Sequence, residues 1–391
     1  MNRRHFLRHC GAAGTSLLAT SALLSGCVQT NATRNGAQRN YLAPDTSFTS
    51  GACGLPPVRV APEREIRTVV GLRPYRPSGF VVRAEKLGDM LVVHNYGHGG
   101  AGITLSWGTS KLAVDIGAPG HRGAVAVLGC GAVGLANAIL LQEAGFEVTI
   151  YAKALPPETT SNIAGGQWFP AFLSDPEKRT PEFSAQLLAA ADYAYRRYQI
   201  MVGPRFGVRW MRNYLASHHA FNEDGYLGKR SPLNAMLPEH RDLAPGEHPF
   251  AGYEYVRQFD TPIIEPPVYL AAMLDEFRIA GGRVRVRELA DRAAIMALPE
   301  KLVFNCTGLG AKALFDDAEL TPVKGQLTIL LPQPEVQYAA LHGDFYMFPR
   351  SDGILLGGTH EEGNWSLAPD LDKKREILAG HKEFFDGFRA C

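Results

Sequence analysis

Apolar positions along the chain change period several times, and the sharpest change falls before its middle. Val125–Leu128 is an unbroken apolar run, as expected of a strand buried on both faces. It enters Gly129-Cys-Gly131-Ala-Val-Gly134, and over 135–144 the pattern turns helical, with Ile139, Leu140 and Leu141 on the side that buries. A second strand follows at once over 147–151. Upstream, the pattern predicts strands over 80–83 and 91–93 and a helix over 103–116. Downstream, it predicts a helix over 181–203 that carries Tyr193, Tyr195 and Tyr198, and strand alternation again over 253–259. Residues 218–249 between them mix Pro, Gly and charge without periodicity and read as loop.

Strand, glycine turn, helix and strand in this order form the opening βαβ of a dinucleotide-binding fold. Gly129 permits the tight turn, Gly131 lets a pyrophosphate approach the backbone, and Gly134 lets helix and strand pack closely. The phosphates would sit on the helix N-terminus, where unpaired N–H groups and the dipole favour negative charge. Such folds place Asp or Glu at the end of the second strand to hold the ribose. This chain has Ala152, Lys153 and Ala154 there, and Lys153 suits a 2′-phosphate. The glycines alone therefore leave the cofactor open. A second glycine cluster, Gly97-His-Gly99-Gly100-Ala-Gly102, precedes the 103–116 helix as a backbone nest for an anionic or electron-rich group.

Charge is balanced, 40 Lys and Arg against 39 Asp and Glu, which argues against nucleic acid or an anionic surface as partner. The first residues form an address: Asn2-Arg3-Arg4-His5-Phe6-Leu7-Arg8 is a twin-arginine region, followed by a mildly apolar stretch too short to span a membrane. Leu24-Ser25-Gly26-Cys27 resembles a bacterial lipobox with Cys27 as the acylated residue. The expectation is export by the twin-arginine route and a lipid-anchored protein on the periplasmic side, with Cys27 its only hold on the membrane. Of the remaining cysteines, Cys10 lies in the signal. Cys53, Cys130, Cys306 and Cys391 show no metal-ligand spacing, and Cys130 and Cys306 read as core. His94 and His98 lack a third ligand nearby, so no metal is expected.

Several motifs closely resemble the D-amino-acid oxidase family of FAD enzymes, which includes D-aspartate oxidase. They are Arg73-Pro with His94-Asn-Tyr-Gly-His-Gly-Gly-Ala-Gly102, then Thr159-Thr-Ser161 with Gly165-Gly166-Gln-Trp168, then Asn305-Cys-Thr-Gly308. Lys324-Gly-Gln326, Tyr346-Met-Phe-Pro349, Leu356-Gly-Gly358 and Gly363-Asn-Trp365 complete the set. The resemblance runs from about residue 71 to the C-terminus. In the family the Arg-Pro and His-Asn-Tyr-Gly-His block lies near the C-terminus, whereas here it precedes the Gly129–Gly134 turn. It implies an α/β fold, a Rossmann-like FAD-binding domain with an antiparallel-sheet substrate domain, circularly permuted and rejoined through 118–122. The expected organisation is a signal over 1–27, a coreless tether over 28–60 and the permuted segment over 61–120. The FAD-binding βαβ follows over 121–175, mainly substrate domain over 176–285, FAD-binding continuation over 286–320, and substrate sheet with C-terminal helix over 321–391.

The resemblance also implies FAD-dependent oxidation of a D-amino acid, with O2 as the other small-molecule partner. Arg73 would hold the substrate carboxylate as a planar fork, Tyr346 would share it, and the Gly100 carbonyl would accept from the amine. His342 stands where mammalian-type enzymes have a further tyrosine, so it joins the expected catalytic set with an altered pocket lid. The cofactor set it implies comprises Gly129, Cys130, Gly131, Val133 and Gly134 in the turn, then Lys153, Thr160, Ser161, Gly165 and Gly166. Val286, Thr307 and Gly308 join it, with Gly99, Ala101, Gly102, Ile103 and Thr104 from the glycine nest. With no acid at 153–154, FAD would be held more loosely than the family pattern implies. Two other readings stay open: a lipoprotein of the same fold that binds a metabolite without turnover, and an NADP-linked dehydrogenase favoured by Lys153.

Overall fold

The computed structural model describes residues 51–391. The twin-arginine region, the lipobox and the first part of the expected tether lie outside the described residues. In chain order, β1 (Glu65–Tyr75), β2 (Val81–Leu87) and β3 (Met90–Tyr96) lead into α1 (Gly102–Gly117). The βαβ follows as β4 (Val125–Leu128), α2 (Ala132–Glu143) and β5 (Val148–Ala152). Next come α3 (Pro181–Ile200), β6 (Val208–Ser217), β7 (Arg241–Leu243) and β8 (Tyr255–Ile264). Then α4 (Pro266–Ile279), β9 (Arg283–Val286), β10 (Leu302–Asn305) and β11 (Thr321–Leu330) precede β12 (Tyr338–His342), β13 (Phe345–Arg350) and β14 (Gly353–Gly357). A C-terminal helix, Leu371–Asp386, closes the order.

The strands form two sheets. One has the order β2-β3-β10-β4-β5-β9, parallel except for the β2–β3 hairpin. Residues of β4 are buried on both faces, which is why that run is apolar throughout rather than alternating. On one face lie α1 to α4, and buried Leu135, Leu140 and Leu141 of α2 each contribute about 1.5–3 kcal/mol relative to exposure. Thr180 starts α3 by accepting from the Phe183 amide, with Pro181 at the first helical position, where no N–H is needed.

The other sheet runs β1-β11-β14-β13-β12-β6-β8-β7, and a short strand, Glu361–Glu362, pairs with β11. Its side chains alternate with period two between two environments. Tyr214, Ala216, Met347 and Leu356 face the C-terminal helix at Ile377, Leu378, Phe384 and Phe385. Met211, Leu327, Phe348 and Leu355 face the opposite way, together with Ile163 and Tyr346.

Residues 61–120 serve both sheets. β1 is the edge strand antiparallel to β11, while β3 runs parallel to β10 with His94 opposite Asn305. The expected tether needs a correction at its C-terminal end. Ala52, Val58 and Val60 are buried in the core under the C-terminal helix, and the Tyr338 hydroxyl donates to the Pro56 carbonyl. Cys53 is disulfide-bonded to Cys391, 338 positions away. Closing so long a loop restricts the unfolded chain and contributes on the order of 2–5 kcal/mol.

Candidate active site

Four segments meet at the C-terminal ends of β4 and β10. Gly129 holds φ +102°, and a Cβ there would stand 2.5 Å from the Cys306 carbonyl oxygen. A Cβ on Gly134 would stand 2.1 Å from the Gly129 oxygen, so strand and helix pack as the spacing predicts. Gly131 is the N-cap of α2 with no side-chain cap, and the first turn carries no acidic residue. Ser161 comes from the segment after β5, where its hydroxyl accepts from the Ala132 amide at 3.1 Å and its Oγ stands 2.9 Å from a Gly131 Cβ position. Thr307 follows β10 and donates from its hydroxyl to Asn305 Oδ1 at 2.7 Å, and Gly308 (φ +55°) lies against Pro74.

Arg73 and Tyr346 come from opposite parts of the chain and meet. Arg73 Nη2 donates to the Tyr346 hydroxyl at 3.3 Å, and Nη1 donates to the Thr359 carbonyl at 3.3 Å. Both partners are neutral. Gly71 lies against Ile163, and Gly165 lies against the Phe348 and Tyr346 rings, so the 160–166 segment borders this pair. Gly325 and Gly357 make the meeting possible. A Cβ on Gly325 would stand 2.4 Å from the Arg73 guanidinium, and one on Gly357 would stand 2.1 Å from the Tyr346 ring.

Phe172 also borders the site, and sequence reasoning missed it. Its ring lies 5.9 Å from the Arg73 guanidinium carbon and 4.9 Å from the His360 ring. It holds φ +50°, outside the usual region for an aromatic residue, and its carbonyl accepts from the Gly100 amide at 3.0 Å. A Cβ on Gly99 would collide with that same carbonyl at 2.1 Å, so Gly99 and Gly100 fit closely around residues 171–172. Ala101, Gly102 and Ile103 continue into α1, and the Thr104 hydroxyl donates to the Phe169 carbonyl at 3.0 Å.

A profile of FAD dependent oxidoreductases matches residues 124–390. The chain belongs to the D-amino-acid oxidase family of FAD-dependent oxidoreductases. It is 34% identical over 273 residues to a D-amino-acid oxidase of Rubrobacter xylanophilus, covering 66% of this chain and 77% of that one. A human D-aspartate oxidase is 29% identical over 264 residues, covering 65% and 74%. Among solved structures, an L-proline dehydrogenase from P. horikoshii aligns with a TM-score of 0.54 at 16% identity, over 68% of this chain and 78% of that one. A glycine oxidase from Geobacillus kaustophilus aligns with a TM-score of 0.51 at 18% identity, over 67% and 80%. These two likenesses concern the fold. The protein is an enzyme and its cofactor is FAD, which sets aside the NADP expectation drawn from Lys153.

As an FAD enzyme of this family, the chain has a turn that fits its cofactor. The N-terminus of α2, the three glycines a Cβ would block, and Ser161, which accepts from the Ala132 amide, form a cradle that would fit a pyrophosphate. Cys130 and Cys306 are buried, and burial pushes the Cys130 thiol up to about 12, so they line the turn as inert apolar groups. Val133 turns its carbonyl to Ser110 and Asn137, inside the helix packing. Lys153 and Val286 are exposed at the ends of neighbouring β5 and β9, and Lys153 Nζ lies 3.7 Å from a Glu288 carboxylate. A carboxylate is therefore present at this end after all, supplied from beyond β9.

The structure places His342 away from Tyr346. His342 pairs with Phe345 across a two-residue turn, while Leu341 pairs with Tyr346, so His342 and Tyr346 point to opposite faces. Its ring stacks on Phe384 at 3.9 Å, and its Nε2 lies 3.3 Å from His381 Nδ1 under the C-terminal helix. Burial lowers the His342 pKa to about 3, so it is a neutral core residue.

The glycines beneath the Arg73–Tyr346 pair give a direct test. Gly357→Ala should displace the Tyr346 ring and lower kcat/KM on the order of 10²-fold while the flavin spectrum is retained, since an ångström of misplacement costs that much. Steady-state kinetics beside an absorption spectrum measures both; unchanged kinetics would show that the Tyr346 position does not matter.

Proposed function

We propose that this enzyme oxidises D-amino acids to imino acids, which water then converts to 2-oxo acids and ammonia, with O2 reduced to H2O2. The supporting observation is the Arg73–Tyr346 pair. A guanidinium and a hydroxyl bonded to each other, with neutral partners otherwise, offer two adjacent donors to a carboxylate. When bound, FAD supplies the two-electron acceptor for this oxidation and passes the electrons to O2. Arg73 and Tyr346 fix the carboxylate, and the exposed Gly100 would accept from the amine. The Phe172 ring lies 5.9 Å from the guanidinium carbon and borders the place where the carboxylate would sit. No side chain need act as general base.

The D-configuration is inferred from the oxidases this chain resembles. Arg73→Ala should lower kcat/KM for D-amino acids on the order of 10²–10⁴-fold, the equivalent of about 3–5 kcal/mol, with the flavin spectrum intact. Tyr346→Phe should cost less, about 0.5–3 kcal/mol, because one hydrogen bond is lost. Peroxide release with D- against L-amino acids reads both; equal activity in wild type and Arg73→Ala would sink the assignment.

We further propose that the protein is exported folded and lipid-anchored through Cys27. The Cys53–Cys391 pairing supports this, since such bonds persist in oxidising compartments. Cys27→Ala should move the protein from the membrane to the soluble fraction of fractionated cells, and an unchanged distribution would refute the anchor.

The order of segments is read as a circular permutation. β1 and β3 pair within the two sheets although they precede the stretch that the family profile matches, and the ends of the described chain lie together at Cys53 and Cys391. A rearranged gene that places 65–120 after residue 390 should yield a protein with the same flavin spectrum. An insoluble or colourless product would count against the reading.

A further inference from the structure

Both faces of the large sheet act on one short run of backbone, Gly357-Gly358-Thr359, where β14 ends. On the site face, the Tyr346 ring lies over Gly357, and the Thr359 carbonyl accepts from Arg73 at 3.3 Å. The Arg73–Tyr346 pair therefore takes its position from these three residues. Thr359 is itself tied to β11, since its hydroxyl accepts from the Gln326 amide at 2.6 Å.

From the opposite side, the C-terminal helix holds the same run. His381 Nε2 lies 3.1 Å from the Gly357 carbonyl oxygen, and His381 Nδ1 lies 3.3 Å from His342 Nε2. A carbonyl only accepts, so His381 carries its proton on Nε2. Burial lowers both pKa values, His342 to about 3 and His381 to about 4, and keeps both rings neutral. A neutral His381 protonated on Nε2 has a bare Nδ1, which accepts from His342 Nε2–H. The two rings thus form a directed chain that ends on the Gly357 carbonyl. Its first member is locked by a parallel stack on Phe384, with ring centroids 3.9 Å apart. Phe345, next to Tyr346 on β13, fills the space between Gly358 and Gly380, where a Cβ on either glycine would strike its ring.

We propose that His342 and His381 are positioning residues for the oxidation, holding the Gly357 carbonyl from behind the sheet so that Tyr346 and Arg73 keep their places in front of it. The inference rests on the amino-acid oxidation proposed above. The surroundings of the two histidines are apolar, with Met347, Ile377, Phe384 and Phe385 in the same core. Apolar side chains of similar volume would fill that core without the cost of burying two imidazoles. What they would not supply is the donor to Gly357. A buried carbonyl without its donor stays unsatisfied, and the end of β14 would shift to find another partner, carrying with it the floor of Tyr346 and the acceptor of Arg73.

The test uses the FAD-loaded protein and 2-aminoisobutyrate, an α-amino acid with no Cα–H, which presents the same carboxylate and cannot be oxidised there. Its Kd is read from the change in the flavin absorption spectrum, beside kcat/KM for the best oxidised of D-alanine, D-phenylalanine and D-aspartate. His381→Leu keeps the core apolar and removes the donor. It should raise Kd and lower kcat/KM about tenfold, with the flavin spectrum retained. His381→Gln, whose amide donates from a matching position, should bring both back to within about threefold of wild type. His342→Phe keeps the stack on Phe384 and should raise Kd about threefold, with no further effect in the His381→Leu background, because both act through one carbonyl. An unchanged Kd in His381→Leu, or an equal loss in His381→Gln, overturns the positioning role and leaves the reaction standing. If His381→Leu does not fold, an unchanged Kd and kcat/KM in His342→Phe overturns it instead. No turnover of any D-amino acid by the wild type overturns the reaction and, with it, this inference.

Discussion

The guanidinium of Arg73 lies flat against Gly325, and the geometry of the site depends on that contact. β1 reaches β11 in a register that sets Arg73 opposite Val323 and Gly71 opposite Gly325. A slip of one residue would turn Arg73 to the other face of the sheet, away from Tyr346. The second bare position, Gly357, gives the Tyr346 ring the same room on β14. Glycine inside a strand costs about 0.5–1 kcal/mol relative to alanine, so two of them beneath one pair of side chains weaken the sheet where the site needs space. The pairing along β1, ten matched positions from Glu65 to Tyr75, offsets that loss.

Short segments bring the two sheets together near the site. Gly308 against Pro74 joins the end of β10 to the end of β1, and Gly71 against Ile163 joins β1 to the stretch after β5. The Gly129–Gly134 turn and the Arg73–Tyr346 pair are therefore held by neighbours in space that are remote in sequence. Such an arrangement places a redox cofactor and a substrate from rigid strand ends, as open α/β sheets do for their ligands.

Much of this could be read from residue types and spacing. The Gly129–Gly134 turn was legible because each glycine has a steric reason to be there, and β4, α2 and β5 followed from the change of period around it. Arg73 and Tyr346 were legible only through motif resemblance, since neither has a local signal that marks it. The face of His342 was not legible from the motif, because a two-residue turn between β12 and β13 decides which residues share a face. The burial of Ala52, Val58 and Val60 was hidden for another reason: three small apolar residues among prolines and glycines have no period, and only the C-terminal helix gives them a core. Gly325 and Gly357 did carry a signal, as glycines interrupting strands, but what they make room for depends on which side chains cross them.

The bond between Cys53 and Cys391 gives the described chain the topology of a closed ring. A mechanical pull arriving along the backbone from the N-terminal side meets the bonded sulfurs before it meets β1. Force is then shared with the C-terminal end, where Phe384 and Phe385 are packed, and is not concentrated on peeling the edge strand. The strand that carries Arg73 is thereby shielded from shear, and the register that aims its guanidinium is kept under load.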